Sequence, residues 1–390
     1  MHCKFCILVS VTVITIPVFV FLMLLDVFAL LDYEVPNTSN SNFTPIITVI
    51  PLEGVLWEPR PDRPIPESVQ RQFDEIISKD VGIRGSCKRM GIDVVRVRQF
   101  GDTWGTVPLD REGCENWCVL IDNAGEADLL YYHSATANRP VKTRAGQKVL
   151  AFGIEPRPYV DGLWSEDVAR NTDAVSNYNL DSNIPVPYLE SFTYSKSRSI
   201  PVATKENWET RKFMIWLSSN CVSGRTDRVK EIMKHLPVEA RGKCLNNAPQ
   251  LVSGFWEVPN TLREYKFALY LEKIIDQDYV TEKFIMGFFG DTIPVYSGSR
   301  TALLLAPGNH SFIDIDNFES AEELAVYVKE VGSDYNKWKR YFDWRASPTA
   351  PEKEVAASWR GSSSLCRMCD YYCNETGMTG GNAGNGLRWD

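Results

Sequence analysis

Short apolar runs alternate with helix-like segments along most of this 390-residue chain, and this alternation limits its possible folds more than any other feature. In the helix-like segments, apolar residues recur every three or four positions, as between Val229 and Leu236. Strands separated by helices pair in parallel, and the helices cover the sheet. The pattern predicts an α/β fold, and the length predicts two domains. The predicted strands include 46–50, 92–97, 127–132, 148–154 and 212–219, and a helix is predicted over 67–79.

The segment YKFALYLEKIIDQDYVTEKFIMGFFGDTIPVYSG, residues 265–298, combines three elements. YKFALYLE predicts a buried strand, and TIPVYSG predicts the next one. Between them a helix can begin from Asp278, with Glu282 and Lys283 near its first turn and two glycines towards its end. A helix N-terminus at the carboxyl edge of a parallel sheet attracts phosphate groups. The segment therefore predicts a phosphate site; the alternative is that Glu282 and Lys283 form an ordinary solvated helix face.

The net charge of −8 argues against a nucleic-acid-binding protein. Such proteins need a basic face that displaces counterions from the phosphate backbone. We therefore expect no nucleic-acid partner, and we expect any phosphate-bearing ligand to be held by a few local cations.

The first 45 residues predict a membrane-anchored chain. Residues 7–25 contain no ionisable side chain, and a helix of this length spans about 28 Å, close to the thickness of a hydrocarbon core. Lys4 precedes this stretch and acidic residues follow it, which predicts a cytoplasmic tail at 1–4, a transmembrane signal anchor at 5–31, a stem at 32–45 and a lumenal remainder. A cleaved signal peptide is the alternative.

The cysteines and sequons of the remaining chain fit an oxidising lumen. An even number of cysteines follows the predicted span, which suits disulfides between Cys87, Cys114, Cys118, Cys221, Cys244, Cys366, Cys369 and Cys373. Zinc at Cys114 and Cys118, or at Cys366, Cys369 and Cys373, is the alternative, although no histidine neighbours either cluster. Sequons predict N-glycosylation at Asn37, Asn42, Asn309 and Asn374.

Several motifs together resemble one family. YKF-x-L-x-x-E followed by DYVTEKF and TIPVYSGS resembles the donor-site signature of the α1,3-fucosyltransferases, which form glycosyltransferase family 10. Upstream, SSNC (218–221) with trailing arginines is similar to the family's S-N-C stretch. Downstream, 311–331, YNKWKRYFDWR (335–345) and SSLCRMC (363–369) resemble its closing strand, helix, W-R segment and C-x-x-C. The resemblance covers the second domain almost throughout and the first domain more weakly.

The resemblance implies a GT-B architecture, in which two Rossmann-like α/β domains face a cleft after one transmembrane helix. It implies an acceptor domain at 46–190, a GDP-fucose-binding domain at 191–345 and a Cys-containing tail at 346–390. It also implies a single-pass type II Golgi membrane enzyme with a lumenal catalytic domain. The expected partners are GDP-fucose and a glycoprotein acceptor.

The resemblance also implies roles for individual residues. Glu155 in FGIEPRPY resembles the family's proposed catalytic base, which takes a proton from the attacking hydroxyl. Pairing with Arg157 or capping of a turn is the alternative for Glu155. The implied donor-binding residues are Arg225, Arg228, Glu272, Lys273, Tyr279, Glu282 and Lys283, among which the cations would neutralise the diphosphate.

Lys273 departs from the family, which usually has asparagine at this position. Lysine can reach a phosphate but cannot accept a hydrogen bond. The departure keeps open a non-catalytic, glycan-binding relative. The acceptor also stays open: it is a GlcNAc of an N-glycan core or antenna, in an inverting α1,3 transfer, or a protein hydroxyl.

Asp314-Ile-Asp316 has the D-x-D spelling that binds manganese in many Golgi glycosyltransferases. It lies where the family's closing strand carries similar acidic residues. Because arginines and a lysine already supply charge for the phosphates, we expect no required metal or cofactor.

Overall fold

The structure, a computed structural model, describes residues 93–101, 118–156, 159, 161–188, 197–251, 257–346 and 364–377, with isolated positions at 60, 67, 70, 71 and 74. The predicted anchor, the stem and the strand at 46–50 lie outside the described residues. The described positions within the predicted helix at 67–79 are helical. In the described part of the chain, no helix is both long and apolar enough to cross a membrane.

Six parallel strands form the first sheet, in the order β2-β1-β3-β4-β5-β6. They are β1 (Val95–Phe100), β2 (Cys118–Leu120), β3 (Leu129–His133), β4 (Lys148–Phe152), β5 (Ala174–Asn177) and β6 (Ile184–Pro185), with helix α1 (Glu166–Asn171) between β4 and β5. Tyr131 and Phe152 pack on one face of this sheet, and Tyr132 and Ala151 pack on the other. Both faces are buried, as parallel sheets require.

Five parallel strands form the second sheet, in the order β11-β10-β9-β7-β8. They are β7 (Lys212–Trp216), β8 (Val238–Ala240), β9 (Tyr265–Leu271), β10 (Ile293–Ser297) and β11 (Ile313–Asp314). The helices of this half are α2 (Lys205–Glu209), α3 (Ser223–Met233), α4 (Val258–Leu262), α5 (Glu282–Phe289), α6 (Ala302–Leu305), α7 (Ala321–Ser333) and α8 (Tyr335–Arg340). β9 lies at the centre, and its residues from Phe267 to Leu271 are all buried.

The predicted α/β fold with parallel sheets is confirmed. The predicted strands 148–154 and 212–219 correspond to β4 and β7, and the strand predicted from YKFALYLE is β9. Their continuous apolar character follows from burial on both faces of a sheet.

A C-terminal helix, α9 (Ser364–Gly377), packs on the first sheet, where it contacts β2 and β6. Met368, Cys369 and Cys373 lie in the same buried cluster as Val95. Arg367, which is buried, donates from Nη1 to the Pro185 carbonyl at 2.5 Å. Part of the predicted tail therefore completes the core of the first half of the chain.

Candidate active site

The two sheets meet through residues that follow their central strands. Glu155 comes three residues after β4, and Lys273 comes two residues after β9. Lys273 Nζ donates to Glu155 Oε2 in an ion pair whose side chains are only 9% and 17% exposed. Carboxyl ends of parallel strands are where ligands bind in α/β proteins. This junction is therefore the candidate site.

The turn after β9 makes two more contacts with the first half of the chain. Tyr178 donates its hydroxyl to Asp276 Oδ2 at 2.8 Å. The Leu180 backbone N–H donates to Asp278 Oδ2 at 3.0 Å. With the ion pair, these bonds attach the turn to segments that follow β4 and β5.

Asp278 does not start the helix, so the predicted start is wrong. Its φ of +60° places it in a left-handed turn, a conformation that Asp tolerates better than most residues. The helix α5 begins at Glu282, and Thr281 Oγ1 caps it by accepting from the Lys283 N–H at 3.4 Å. Asp278 instead accepts from the Thr301 hydroxyl at 2.6 Å and holds the turn in place.

Glu272 connects the end of β9 to the start of α5. Its Oε1 accepts from the Thr281 N–H at 2.8 Å and from the Tyr296 hydroxyl at 3.2 Å. The side chain is buried, and burial raises the pKa of Glu272, while the Lys283 charge and the Thr281 donors act in the opposite direction. The buried carboxyl fixes the position of the first helical turn.

Lys283 places its charge at the same helix N-terminus. Its Nζ lies 2.9 Å from Glu282 Oε1 and 3.3 Å from Thr281 Oγ1. Glu282 is buried, so the alternative of a solvated helix face is not what forms here. A cation at the positive end of the helix dipole favours a bound anion.

Arg225 and Arg228 extend from α3 towards the same edge of the second sheet. Arg225 is buried and donates from Nη2 to Ser218 Oγ at 2.9 Å and to the Asn220 carbonyl. Arg228 is half-exposed and donates from Nη1 to Ser297 Oγ at 2.8 Å. The two guanidinium groups thus lie near the ends of β7 and β10.

A disulfide between Cys221 and Cys244 fastens the loop after β7. The Cys244 N–H also donates to the Ser218 carbonyl at 3.0 Å. Cys369 and Cys373 are disulfide-bonded as well. The disulfide prediction is therefore confirmed for these four cysteines, while Cys87 and Cys114 and the side chains of Cys118 and Cys366 lie outside the described part.

Tyr279 lies buried beneath the junction. Its ring contacts Tyr178 and Tyr188 edge-on, with centroids at 5.1 Å and 6.0 Å. Burial raises the pKa of Tyr279 well above its usual value, and the charges of Glu155, Glu272 and Glu282 contribute to that rise. Tyr188 donates its hydroxyl to the Ile154 carbonyl at 2.8 Å, directly before Glu155.

Asp316 of the D-x-D spelling is already paired with protein groups. Its Oδ1 accepts from Arg228 Nη2 at 2.8 Å and from Ser297 Oγ at 3.1 Å. Asp314 Oδ1 accepts from the Asp316 N–H at 3.0 Å. The two aspartates therefore hold Arg228 and their own turn.

The structure brings the predicted site residues to one edge of the second sheet, with Glu155 opposite. Lys273 faces Glu155, and the other cations lie by α3 and α5. Tyr178, Tyr188 and Asp276 are part of this junction and were missed. β6, just before Tyr188, has two residues, and a strand that short gives no periodic signal. Among the sequons, Asn309 is exposed, and the Asn37, Asn42 and Asn374 side chains lie outside the description.

Comparison with known proteins identifies a family model that matches the second half of the chain. Residues 208–379 match the family model described as "Glycosyltransferase family 10 (fucosyltransferase) C-term". This stretch is a glycosyltransferase family 10 domain. Within the matched range, the family 10 domain contains Arg225, the β9–α5 turn and α9.

Three curated proteins that resemble this chain are named for different activities. The chain is 30% identical over 223 residues to "Alpha-(1,3)-fucosyltransferase B" of Drosophila melanogaster, covering 49% of the chain and 50% of the relative. It is 24% identical over 320 residues to "Alpha-(1,4)-fucosyltransferase" of Arabidopsis thaliana, covering 76% of each. It is 30% identical over 200 residues to "GDP-fucose protein O-fucosyltransferase 3" of Gallus gallus, covering 47% of the chain and 42% of the relative. The chain thus matches about half or less of two of them.

A crystal structure of an α1,3-fucosyltransferase with GDP-fucose shares the fold. The superposition has a TM-score of 0.51 at 16% sequence identity and covers 73% of this chain and 90% of that one. The likeness concerns the α/β fold with parallel sheets.

Proposed function

We propose that this chain transfers L-fucose from GDP-β-L-fucose to an acceptor hydroxyl with inversion at the anomeric carbon. One observation carries the proposal: Glu155, after β4, stands opposite the start of α5, where Thr281, Glu272 and Lys283 form a charged turn. A base on one side and an anion site on the other are what a displacement of GDP requires.

The donor would lie with its diphosphate at the N-terminus of α5. Lys283 and the two arginines of α3, Arg225 and Arg228, would neutralise the phosphate charge. Arg225 is held by Ser218 and Asn220, so its guanidinium is oriented before the donor arrives. Preorganised donors of this kind stabilise developing charge without reorganisation during the reaction.

The neutral part of the donor would contact Glu282 and Tyr279. Glu282 can accept hydrogen bonds from sugar hydroxyls, and Tyr279 lies buried beside it. Glu272 supports this arrangement by fixing the first turn of α5 through Thr281.

Transfer would occur in one displacement. As the acceptor oxygen forms its bond to the fucose anomeric carbon, Glu155 takes the hydroxyl proton. The bond from that carbon to the β-phosphate oxygen breaks, and its electron pair leaves with GDP. The product is the α-linked fucoside and protonated Glu155, which then returns its proton to water.

We propose that this step needs no metal. The carboxylate of Asp316, which a D-x-D metal site would use, accepts from Arg228 and Ser297. Charge relief on GDP would come from side chains and helix N–H groups.

The proposed acceptor is a GlcNAc of a glycoprotein glycan, in α1,3 linkage. A protein hydroxyl is the second candidate, which the 30% identity to the chicken "GDP-fucose protein O-fucosyltransferase 3" favours. A glycoprotein acceptor and four cysteines in disulfides suit our further proposal of a lumenal catalytic domain on a type II Golgi anchor.

The test uses the full chain with labelled GDP-fucose and three acceptors: a core N-glycan, a lactosamine antenna and a folded protein domain. Released GDP reports turnover, and mass spectrometry locates the fucose. Transfer to GlcNAc supports the first candidate and transfer to a protein hydroxyl the second. Donor binding without GDP release on any acceptor would instead indicate a non-catalytic glycan-binding relative.

A further inference from the structure

Lys273 contacts the proposed base, Glu155, and not the first turn of α5, where the donor diphosphate is proposed to bind. Its Nζ donates to Glu155 Oε2 and lies 4.1 Å from the centroid of the Tyr159 ring. The lysine side chain is 9% exposed, so water competes weakly for its charge. On the other side of the turn, Lys283 contacts Glu282 and Thr281. Lys273 is therefore paired with Glu155, and Lys283 is paired with Glu282.

The surroundings of Glu155 are rich in negative charge. The charges of Glu155, Glu272 and Glu282 all contribute to the raised pKa values of Tyr279, which is buried, and Tyr188, which is partly buried. Asp276 and Asp278, with Glu155, act in the same way on Tyr178. Like charges repel one another, and the Lys273 ammonium, in direct contact with Glu155, offsets that repulsion.

The contact also fixes the direction of the carboxylate. Among the described residues, Lys273 contacts Glu155 at one oxygen, Oε2. Tyr159 covers the ammonium from its other side, and the tyrosine itself is 43% exposed. Packing between a ring and a carboxylate leaves the lysine few alternative positions.

We propose that Lys273 is a positioning residue for the acceptor side of the reaction: through its contact with Oε2 it holds the Glu155 carboxylate in the orientation that meets the attacking hydroxyl. This inference rests on the proposed function, in which Glu155 is the base. The competing role is direct binding of the donor diphosphate. The two roles differ in which kinetic constant depends on the lysine.

The experiment compares the full chain with its Lys273→Met, Lys273→Gln and Lys273→Arg variants. Initial rates of GDP release give kcat and the KM for GDP-fucose at saturating acceptor. For Lys273→Met we expect kcat to fall about 10- to 100-fold, the usual effect of losing a hydrogen bond to a charged group. The KM for GDP-fucose stays within about twofold, because the removed interaction does not involve the donor. Lys273→Arg keeps the charge and stays within about fivefold of wild-type kcat.

The two neutral variants separate charge from hydrogen bonding. Lys273→Met removes both the ammonium charge and the hydrogen bond to Glu155 Oε2, whereas Lys273→Gln removes the charge and can still donate a hydrogen bond. Both variants should lose kcat, and Lys273→Gln should lose no more than Lys273→Met.

Lys230→Met is the matched control, because it removes an exposed ion pair with Asp227 on α3. Its kcat and its KM for GDP-fucose should stay at wild-type values. A raised KM for GDP-fucose with unchanged kcat would assign Lys273 to the donor and overturn the inference. Unchanged kcat in both neutral variants would overturn it too, as would an arginine variant as slow as methionine. If methionine prevents folding, the glutamine variant decides by the same criteria. A wild-type chain that releases no GDP would contradict the proposed function itself.

Discussion

The Tyr178 hydroxyl and Asp276 Oδ2 lie 2.8 Å apart and join the segment after β5 to the turn after β9. This bond connects the two halves of the chain beside the candidate base. Burial and the Asp276 hydrogen bond raise the pKa of Tyr178, so the tyrosine is the donor throughout the physiological range. The turn between β9 and α5 is thereby attached to the first half of the chain.

Replacing Tyr178 by Phe removes this bond while keeping the ring. We expect the free energy of unfolding to fall by about 1–2 kcal/mol, because Asp276 loses a donor. Urea unfolding measures it. Tyr132→Phe is the control, since Tyr132 is also buried but its hydroxyl has no hydrogen-bond partner in the described part of the chain. Equal losses in both variants would show that the bond to Asp276 adds nothing.

Glu155→Gln should stop transfer and leave donor binding intact. The amide keeps the shape and can still accept from Lys273, but it cannot take the hydroxyl proton. We expect kcat to fall about 100- to 10,000-fold, the range for a lost general base. Calorimetric titration of GDP checks binding, and Glu166→Gln, on an exposed pair with Arg170, is the control. Wild-type turnover in Glu155→Gln would remove Glu155 from the mechanism.

Lys283→Ala should weaken the donor complex as well as the rate. The lysine lies at the N-terminus of α5, where the diphosphate is proposed to bind. Removing one preorganised charge of this kind slows turnover by about 100- to 1,000-fold. We also expect at least a tenfold weaker affinity for GDP. Calorimetry tests this, with Lys234→Ala on the exposed end of α3 as the control; an unaltered affinity would contradict the phosphate role.

The second half of the chain was predicted better than the first, for physical reasons. Apart from Lys266 and Ser297, β9 and β10 consist of apolar and aromatic residues and are bounded by turn residues, so their pattern is visible in the sequence. β2 and β6 have three and two residues, which is too short for any periodicity. The return of α9 to the first sheet depends on contacts between distant parts of the chain. No local pattern encodes such contacts.

The candidate site was predicted as a set of residues and not as an arrangement. The positions of Glu155 and Lys283 at strand and helix ends follow from the alternation of elements. The pairing of Lys273 with Glu155 depends on how the two sheets approach each other. The misplaced helix start has a local cause, because Asp278 and Thr281 are both suitable caps and only the backbone turn at Asp278 decides between them.

The Cys221–Cys244 disulfide should matter for both stability and donor binding. It closes a loop with a sequence separation of 23, which in the chain-entropy model stabilises the fold by about 3 kcal/mol. It also fastens the loop whose Asn220 carbonyl orients Arg225. A Cys221→Ala/Cys244→Ala double variant should therefore lose stability in urea and bind GDP more weakly. Lower stability with unchanged GDP affinity would separate the disulfide from the donor site.

Glu272 should make stability depend on pH with a definite sign. Burial raises the pKa of Glu272 in the folded chain above its ordinary value of 4.5. Above pH 4.5 the unfolded chain releases this proton while the folded chain retains it, so the contribution of Glu272 to stability falls as pH rises through the folded pKa. Glu272→Gln carries no titratable proton and can still accept from the Thr281 N–H. We expect the variant to gain stability over wild type as the pH rises above 4.5 in urea unfolding, and a constant difference would contradict the buried-carboxyl assignment.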